Sequence, residues 1–390
     1  MYNIDNFNVS IDNTDIGAMV TSMTIYESIH GNIKAAFTVD DKLNFFDVFF
    51  RGITLSIVKI SYTYFDVPTE IVLYADGVMD QKITKTGKSY TVKAVSINNL
   101  NEATARICNA YSGTSSDILG TIWQETHGAK NLLVIDSEVS SNGKYIAPNV
   151  SATMAFKDIV STAYCKRNTP MFLYQRLADN GITRFTSIDQ MLDSNYLTTN
   201  GRDFTLHTMS QSIDSLKTPL QSVGSSSSFI LTDYNMDFIK KVSGGMWGKS
   251  IMAVSLDETT DTVLKPAEVT AVPVTKYSLS EHLFDEKSIM SGDSSTSSTM
   301  IMHMKYRLFN TILMAADVVA VPGLGCGMTV NVEQGSGQIS STKTDGYYIV
   351  SDINHTYIME DGKMQYSQKI VPKVKIYVNF PYILQVTGKK

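Results

Sequence analysis

Apolar and polar positions alternate with a period of two in run after run along this chain, and the runs recur in the same order near both ends. Gly52-Ile53-Thr54-Leu55-Ser56-Ile57-Val58 opens one alternating run, a second spans Glu70 to Thr84, and Thr86-Gly87-Lys88 turns the chain back into Tyr90 to Val95. Gly327 opens an equivalent run through Met328 to Val332, Tyr347 to Met359 follows, and Asp361-Gly362-Lys363 turns back into Met364 to Lys369. The same 35 positions separate Gly52 from Gly87 and Gly327 from Gly362. Alternation of this kind places one strand face on a core, as a small barrel or sandwich requires. The pattern predicts one β-module used twice in one polypeptide.

Other periodicities fill the space between. Met19 to Ile29 and Ala35 to Val39 read as strands hinged at His30-Gly31-Asn32, and Leu43, Phe46, Phe49 and Phe50 fall at helical spacing. Thr114-Ser115-Ser116-Asp117 offers N-cap chemistry ahead of Ile118, Leu119, Ile122 and Trp123, predicting a helix that ends at His127-Gly128. Ser151 caps a second predicted helix, Ala152 to Arg167, with Ala155, Phe156, Ile159, Val160, Ala163 and Tyr164 on its buried face. A hairpin follows, Met171 to Leu177 and Ile182 to Thr186, turned at Ala178-Asp179-Asn180-Gly181, where Asn and Gly tolerate positive φ. Beyond Thr218-Pro219, Ser228 to Thr232 and Ser250 to Leu256 are candidate strands around a Gly244-Gly245 loop. Ser291 to Ser298 reads as a solvated loop and Thr299 to Leu308 as a short helix.

The expected fold class is α+β and β-dominated, with two similar antiparallel β-barrel domains and an inserted α+β domain. Residues 1–105 form the first barrel, 106–210 the insert, and 211–256 with 300–375 the second barrel in two pieces. Residues 257–299 form a connecting loop segment and 376–390 a C-terminal tail. The apolar, aromatic character of Val374 to Leu384 favours a last strand of its own domain over a strand added to a neighbouring subunit. Gly31, Gly52, Gly87, Gly181, Pro322, Gly323, Gly327 and Gly362 are the turn residues expected to set the barrel geometry.

Composition narrows the partners. The chain has 390 residues, 43% of them hydrophobic and 10% aromatic, enough to build a core in each of several domains. Its 33 basic and 38 acidic side chains leave a formal charge of −5, without the basic stripe that wrapping nucleic acid requires. Cys108, Cys165 and Cys326 are too few and too scattered for a disulfide framework or a thiolate zinc site, which points to folding in a reducing cytoplasm. Met1-Tyr2-Asn3-Ile4-Asp5 does not resemble a signal peptide. The longest apolar stretch, Ile312 to Val332, is interrupted by Asp317, Pro322 and glycines, so no transmembrane span is expected.

Candidate chemistry is sparse. The six histidines, at 30, 127, 207, 282, 303 and 355, include no pair at the helical spacing of a metal site, and each reads as structural, His355 as a surface strand residue. Gly323-Leu324-Gly325-Cys326-Gly327 has the glycine density of an anion-binding loop but leads into a strand rather than a helix, so a tight turn between antiparallel strands is expected. The acid pairs Asp40-Asp41, Asp257-Glu258 and Glu360-Asp361 sit at predicted turns, and no Gly-x-Ser-x-Gly elbow occurs. No catalytic residue, cofactor or metal site is expected.

The arrangement resembles the baseplate hub protein of contractile-tailed phages of the T-even type, related to the hub part of the type VI secretion spike protein and to late-control tail proteins. Three stretches carry the resemblance: Val20 to Gly31 as an opening strand and glycine turn, Ala152 to Arg167 with the Met171 to Thr186 hairpin and Asp189 to Leu192, and Pro322 to Val330 with Tyr347 to Val350 and Ile353 to Met359. The resemblance implies a homotrimer whose six barrels adapt a sixfold tail tube to a threefold spike and line a central channel. It implies contacts with a spike (cell-puncturing) protein, a tail tube protein and peripheral baseplate proteins, and passage of DNA without specific binding. It further implies no membrane insertion of its own, assembly in the host cytoplasm and residence in the tail baseplate of the virion. Two rival readings are a tail-associated cell-wall hydrolase and a receptor-binding β-protein.

Overall fold

The computed structural model describes residues 2–49, 55–64, 66–84, 87–128, 132–135, 142–165, 170–191, 204–208, 223–231, 250–254, 265–271, 287–291, 314–319, 323–333, 346–360, 363–376 and 384–387. The N-terminal part contains β1 (Tyr2–Asn3), β2 (Asp5–Ile11), β3 (Thr14–Asp15), β4 (Val20–Ser28), β5 (Lys34–Asp41), α1 (Phe46–Phe49), β6 (Ile57–Tyr64), β7 (Val67–Thr84) and β8 (Gly87–Ser96). The middle contains α2 (Ile97–Thr104), β9 (Arg106–Thr114), α3 (Ser115–His127), β10 (Leu133–Ile135), β11 (Asn142–Ser151), α4 (Ala152–Thr162), β12 (Met171–Arg176), β13 (Ile182–Ser187) and α5 (Ile188–Met191). The remainder contains β14 (Phe204–Thr208), β15 (Val223–Leu231), β16 (Ser250–Val254), β17 (Lys265–Ala271), β18 (Lys287–Ser291), β19 (Met314–Val319), β20 (Thr329–Glu333), β21 (Gly346–Glu360), β22 (Lys363–Ile376) and β23 (Leu384–Thr387).

The fold is β-dominated, and fourteen strands form one continuous sheet rather than two detached ones. Its order is β1-β22-β19-β15-β14-β20-β21-β4-β5-β8-β7-β6-β2-β3, open at both ends, with an extra pairing of β21 on β22. The repeat read from the sequence appears as two three-stranded meanders, β6-β7-β8 and β20-β21-β22, each with its longest strand in the middle. The strand pairings cross the expected boundary between the first and last modules. Ser22–Ser28 of β4 pairs antiparallel with Asp352–Ile358 of β21. Tyr2 and Asn3 pair with Tyr366 and Gln365 of β22, the Ile4 N–H reaches Met364 O at 3.1 Å, and β2 then crosses to β6.

The core follows the same route. Met23, Ile25, Ala35, Phe37, Val39, Val58, Ile60, Leu73, Tyr90, Val92 and Ala94 point to one face of the N-terminal strands. Tyr357 and Met364 from the last hairpin are buried in that same cluster, and the Tyr357 hydroxyl donates to the Tyr62 hydroxyl at 2.7 Å. Burying an aromatic side chain of this size removes on the order of 150–250 Å² from water. The last hairpin is therefore a wall of the N-terminal core.

The insert has its own core. Thr114 and Asp117 form a reciprocal capping box on α3, and Ser151 caps α4, as their residue types dictate. Ile118, Leu119, Ile122 and Trp123 pack on Ala155, Phe156 and Ile159. The α4 helix stops at Thr162, short of the expected Arg167; the Ala163 N–H still bonds to Ile159 O, and Tyr164 bridges to Pro170 instead. The β9–β11 ribbon was not legible in the sequence. Two strands, β17 and β18, occupy part of the segment expected as a connecting loop, and β23 in the expected tail pairs within the chain, on β17. The Gly244-Gly245 loop, most of the serine tract and the helix expected over Thr299 to Leu308 lie outside the described residues.

His127 closes the insert core, stacked on Trp123 with ring centroids 3.8 Å apart and its side chain shut off from solvent. Burial pulls its pKa down to about 4, so the folded chain resists protonating it. The unfolded chain binds that proton near the ordinary value of about 6.5, so His127 lowers stability progressively as pH falls from about 6.5 towards 4 and has no such effect above that window. A His127→Gln variant is expected to show a flatter melting-temperature profile across that window than the parent chain; identical profiles would contradict the assignment.

Candidate functional site

Among the described residues, buried polar and charged side chains gather where the N-terminal sheet, the insert and the last hairpin meet. On β4, Met23, Ile25 and Glu27 share the inward face, and on β21 Ile353, His355 and Tyr357 do the same. The β4–β21 register makes Glu27 and His355 diagonal neighbours, and Glu27 Oε1 lies 3.0 Å from His355 Nε2. Both residues are at most 1% exposed. The second carboxylate oxygen of Glu27 accepts the Leu177 N–H at 2.8 Å, which fastens the insert hairpin to the same point. Next to it, Arg176, 2% exposed, places Nε 3.1 Å from Asp179 Oδ2, which also accepts from Arg184 Nε at 2.6 Å.

The glycine-dense turn seats against this cluster. A side chain at Gly325 would approach Arg176 Cγ to 2.6 Å, and one at Gly327 would collide with the Tyr174 hydroxyl. Gly327 also sits at φ +77°, a left-handed conformation that favours glycine. Its N–H bonds to Val350 O at 2.8 Å, and the Val350 N–H returns to Met328 O at 2.8 Å. Glycines are placed here to let backbone approach two bulky insert side chains. The turn joins β19 to β20, which are not paired with each other, so the expected tight turn between neighbouring antiparallel strands is corrected to a crossing connection.

Five of the eight turn residues named from the sequence fall among the described residues. Gly31 lies in the β4–β5 turn, where its carbonyl accepts the Gln175 N–H at 3.2 Å, and Gln175 Oε1 in turn accepts the Ile33 N–H. Gly87 packs so that a Cβ would lie 2.7 Å from Asp41 O. Gly181 at φ +79° follows left-handed Asn180 in the insert hairpin, and the Asn180 side chain accepts the Glu70 N–H. Gly323, at φ +74°, begins the seated turn. The structure gathers Gly31, Gly181 and Gly327 around the insert hairpin, while Gly87 packs on Asp41 in the N-terminal sheet. Gly52, Pro322 and Gly362 lie outside the described residues.

His355 corrects the sequence reading: it is buried and bonded, not a surface strand residue. Its flanks at two-residue spacing, Ile353 and Tyr357, carried that signal. Glu27 was missed for the same reason, and its partner stands 328 positions away. Cys326 is fully buried, its thiol donating to Ser351 O at 3.2 Å. Burial, then the nearby Glu27 and Asp352 carboxylates, push the thiol pKa well up, partly offset by Arg176. A thiol held protonated is a poor nucleophile. Among the described residues no group of three His, Cys, Asp or Glu side chains stands together as a metal site would need, and no helix is long and apolar enough to cross a membrane. The charged groups direct their hydrogen bonds to one another and to backbone, which is the chemistry of a joint.

A Gly327→Ala exchange is expected to cost roughly 2 kcal/mol or more, from left-handed strain plus overpacking. Combining it with Tyr174→Phe, which removes the colliding hydroxyl, should cost less than the sum of the two single changes in denaturant unfolding. Strict additivity would show that the turn does not rest on Tyr174.

No family model and no curated protein sequence matches the chain. Solved structures do. A 43 kDa tail protein of prophage MuSo2 from Shewanella oneidensis aligns at 9% identity with a TM-score of 0.59, covering 95% of this chain and 98% of the other. A tail protein from Neisseria meningitidis MC58 aligns at 9% identity and TM-score 0.60, covering 94% and 96%. The c3393 protein of E. coli, a component of the type VI secretion system described as similar to the T4 bacteriophage tail proteins gp27 and gp5, aligns at 10% identity and TM-score 0.53, covering 97% and 78%. The chain has the fold that these tail and secretion proteins share.

Proposed function

We propose that this protein is a structural hub of a phage-like contractile injection device, placed in the tail baseplate and assembled in the host cytoplasm. The observation that carries the reading is the full-length likeness to two tail proteins, with the joint at the centre of the fold. Three copies, each carrying two β-barrels, would form a pseudo-sixfold ring that adapts a sixfold tube to a threefold spike and surrounds a channel for DNA. One circuit closed by strand pairings and a second closed by chain continuity support the two-barrel part. One runs β22-β19-β15-β14-β20-β21 and returns to β22. The other runs by pairing from β21 through β4, β5, β8, β7, β6 and β2, and returns to β22 only through the chain itself, which passes from β2 back through Ile4 to β1, the strand paired with β22.

On this reading the domains are those of the sequence boundaries, with one amendment: the last hairpin serves both circuits. Spike, tube and peripheral baseplate proteins are the partners, the spike being favoured because structures of related fold include a complex of VgrG with PdpA from Francisella. The buried, internally bonded polar groups of the joint favour a structural role for that site over the hydrolase reading.

Light scattering on the purified protein, alone and with a candidate spike, tests the proposal. The expected result is a mass near three times 43.1 kDa for the protein alone, or, with the spike, a complex whose mass exceeds the spike's own by that amount. A monomer indifferent to the spike would remove the symmetry role.

A further inference from the structure

A cavity of about 440 Å³ opens between the β4–β5 turn, α2, α4 and β12, away from the charged joint. Ile29, Phe156, Val160, Met171, Phe172 and Leu173 give it an apolar wall. One carboxylate enters that wall: Glu102 of α2, whose side chain is only 12% exposed. Asn32 holds it, donating from Nδ2 to Glu102 Oε1 at 2.9 Å and to Asn99 Oδ1 at 2.7 Å. We propose that this cavity is a socket for an arginine side chain of a partner polypeptide, with Glu102 as the anion that receives the guanidinium.

The chemistry of the lining selects that occupant. A carboxylate set in an apolar wall attracts a cation far more strongly than one in open water. Burial raises the Glu102 pKa, only partly offset by the Asn32 hydrogen bond, so a positive charge arriving there relieves a cost already present. His127 Nε2 stands 4.0 Å from Glu102 Oε1 but stays neutral near pH 7, because burial holds its pKa near 4. Lys157 and His30 are the other titratable side chains of the lining, and both are exposed at the rim, where water screens them. Arginine fits better than lysine because its flat guanidinium can lie on aromatic rings, and Phe156 and Phe172 are both in the wall. The volume is in the range of ligand clefts and suits one long side chain with its apolar neighbours. The socket stands whether or not the chain is a hub.

The test uses the whole chain with methyl-labelled Ile29, Val160, Met171 and Leu173, titrated with the capped tripeptide Phe-Arg-Leu and with the same peptide carrying neutral, isosteric citrulline. The expected result is saturable shifts at these methyls, with arginine bound roughly tenfold or more tighter than citrulline. Glu102→Gln should remove that preference while keeping an acceptor for Asn32, and Lys157→Ala should tighten arginine binding modestly. Equal binding of the two peptides, or no shift at these methyls with either, overturns the proposal. Should Glu102→Gln fail to fold, the citrulline comparison on the unmodified chain still decides.

Discussion

The pairing of β4 with β21 is the constraint on which the rest of the structure depends. It joins Ser22–Ser28 to Asp352–Ile358, and its register is fixed from beneath by Glu27 on His355. A slip of one residue would turn Met23, Ile25 and Glu27 to solvent and bring Ser22, Thr24 and Tyr26 inward. Leaving one of two buried, hydrogen-bonded polar groups without its partner typically costs about 1–3 kcal/mol, while the bond itself adds less net stability. The Glu27–His355 hydrogen bond thus specifies which strands meet, and the apolar faces of the same strands hold them together. Because Leu177 hangs from Glu27 as well, one carboxylate positions the N-terminal sheet, the insert and the last hairpin relative to each other.

Much of this was legible in local chemistry. Thr114 with Asp117, Ser151, and Asn180-Gly181 each wrote a cap or turn that the backbone follows, and the repeated glycine spacing announced two meanders. Alternation also told which face of each strand is buried. It could not tell which strands are neighbours, since hydrogen bonding between strands 328 positions apart leaves no local trace. The joint was visible only as two polar residues, Glu27 and His355, occurring in apolar phase, a signal that is easy to read as noise. The β9–β11 ribbon stayed hidden because Cys108, Ala110 and Ile146 break the alternation by facing solvent. Four segments meet around the insert cavity, so no single stretch of sequence announces it.

A joint of this kind ties the two ends of the chain into one sheet. A hairpin that belongs to both halves of a chain transmits force through backbone hydrogen bonds rather than through a flexible linker, and the seated turn at Gly325 and Gly327 adds a contact that only glycine permits. The fold in which the repeated meanders share strands is found in tail proteins with about one residue in ten identical. Where sequence identity is so low, burial pattern and register are what the fold requires to persist.

The most direct test of the shared-hairpin account is to express residues 1–210 alone and together with residues 314–390 as a separate piece. The account predicts that 1–210 alone lacks cooperative unfolding, because the core around Val9, Ile11 and Ile60 loses Tyr357 and Met364, and that co-expression restores it in a stable two-piece complex. A fragment 1–210 that folds cooperatively on its own, with stability unchanged by the second piece, would contradict it.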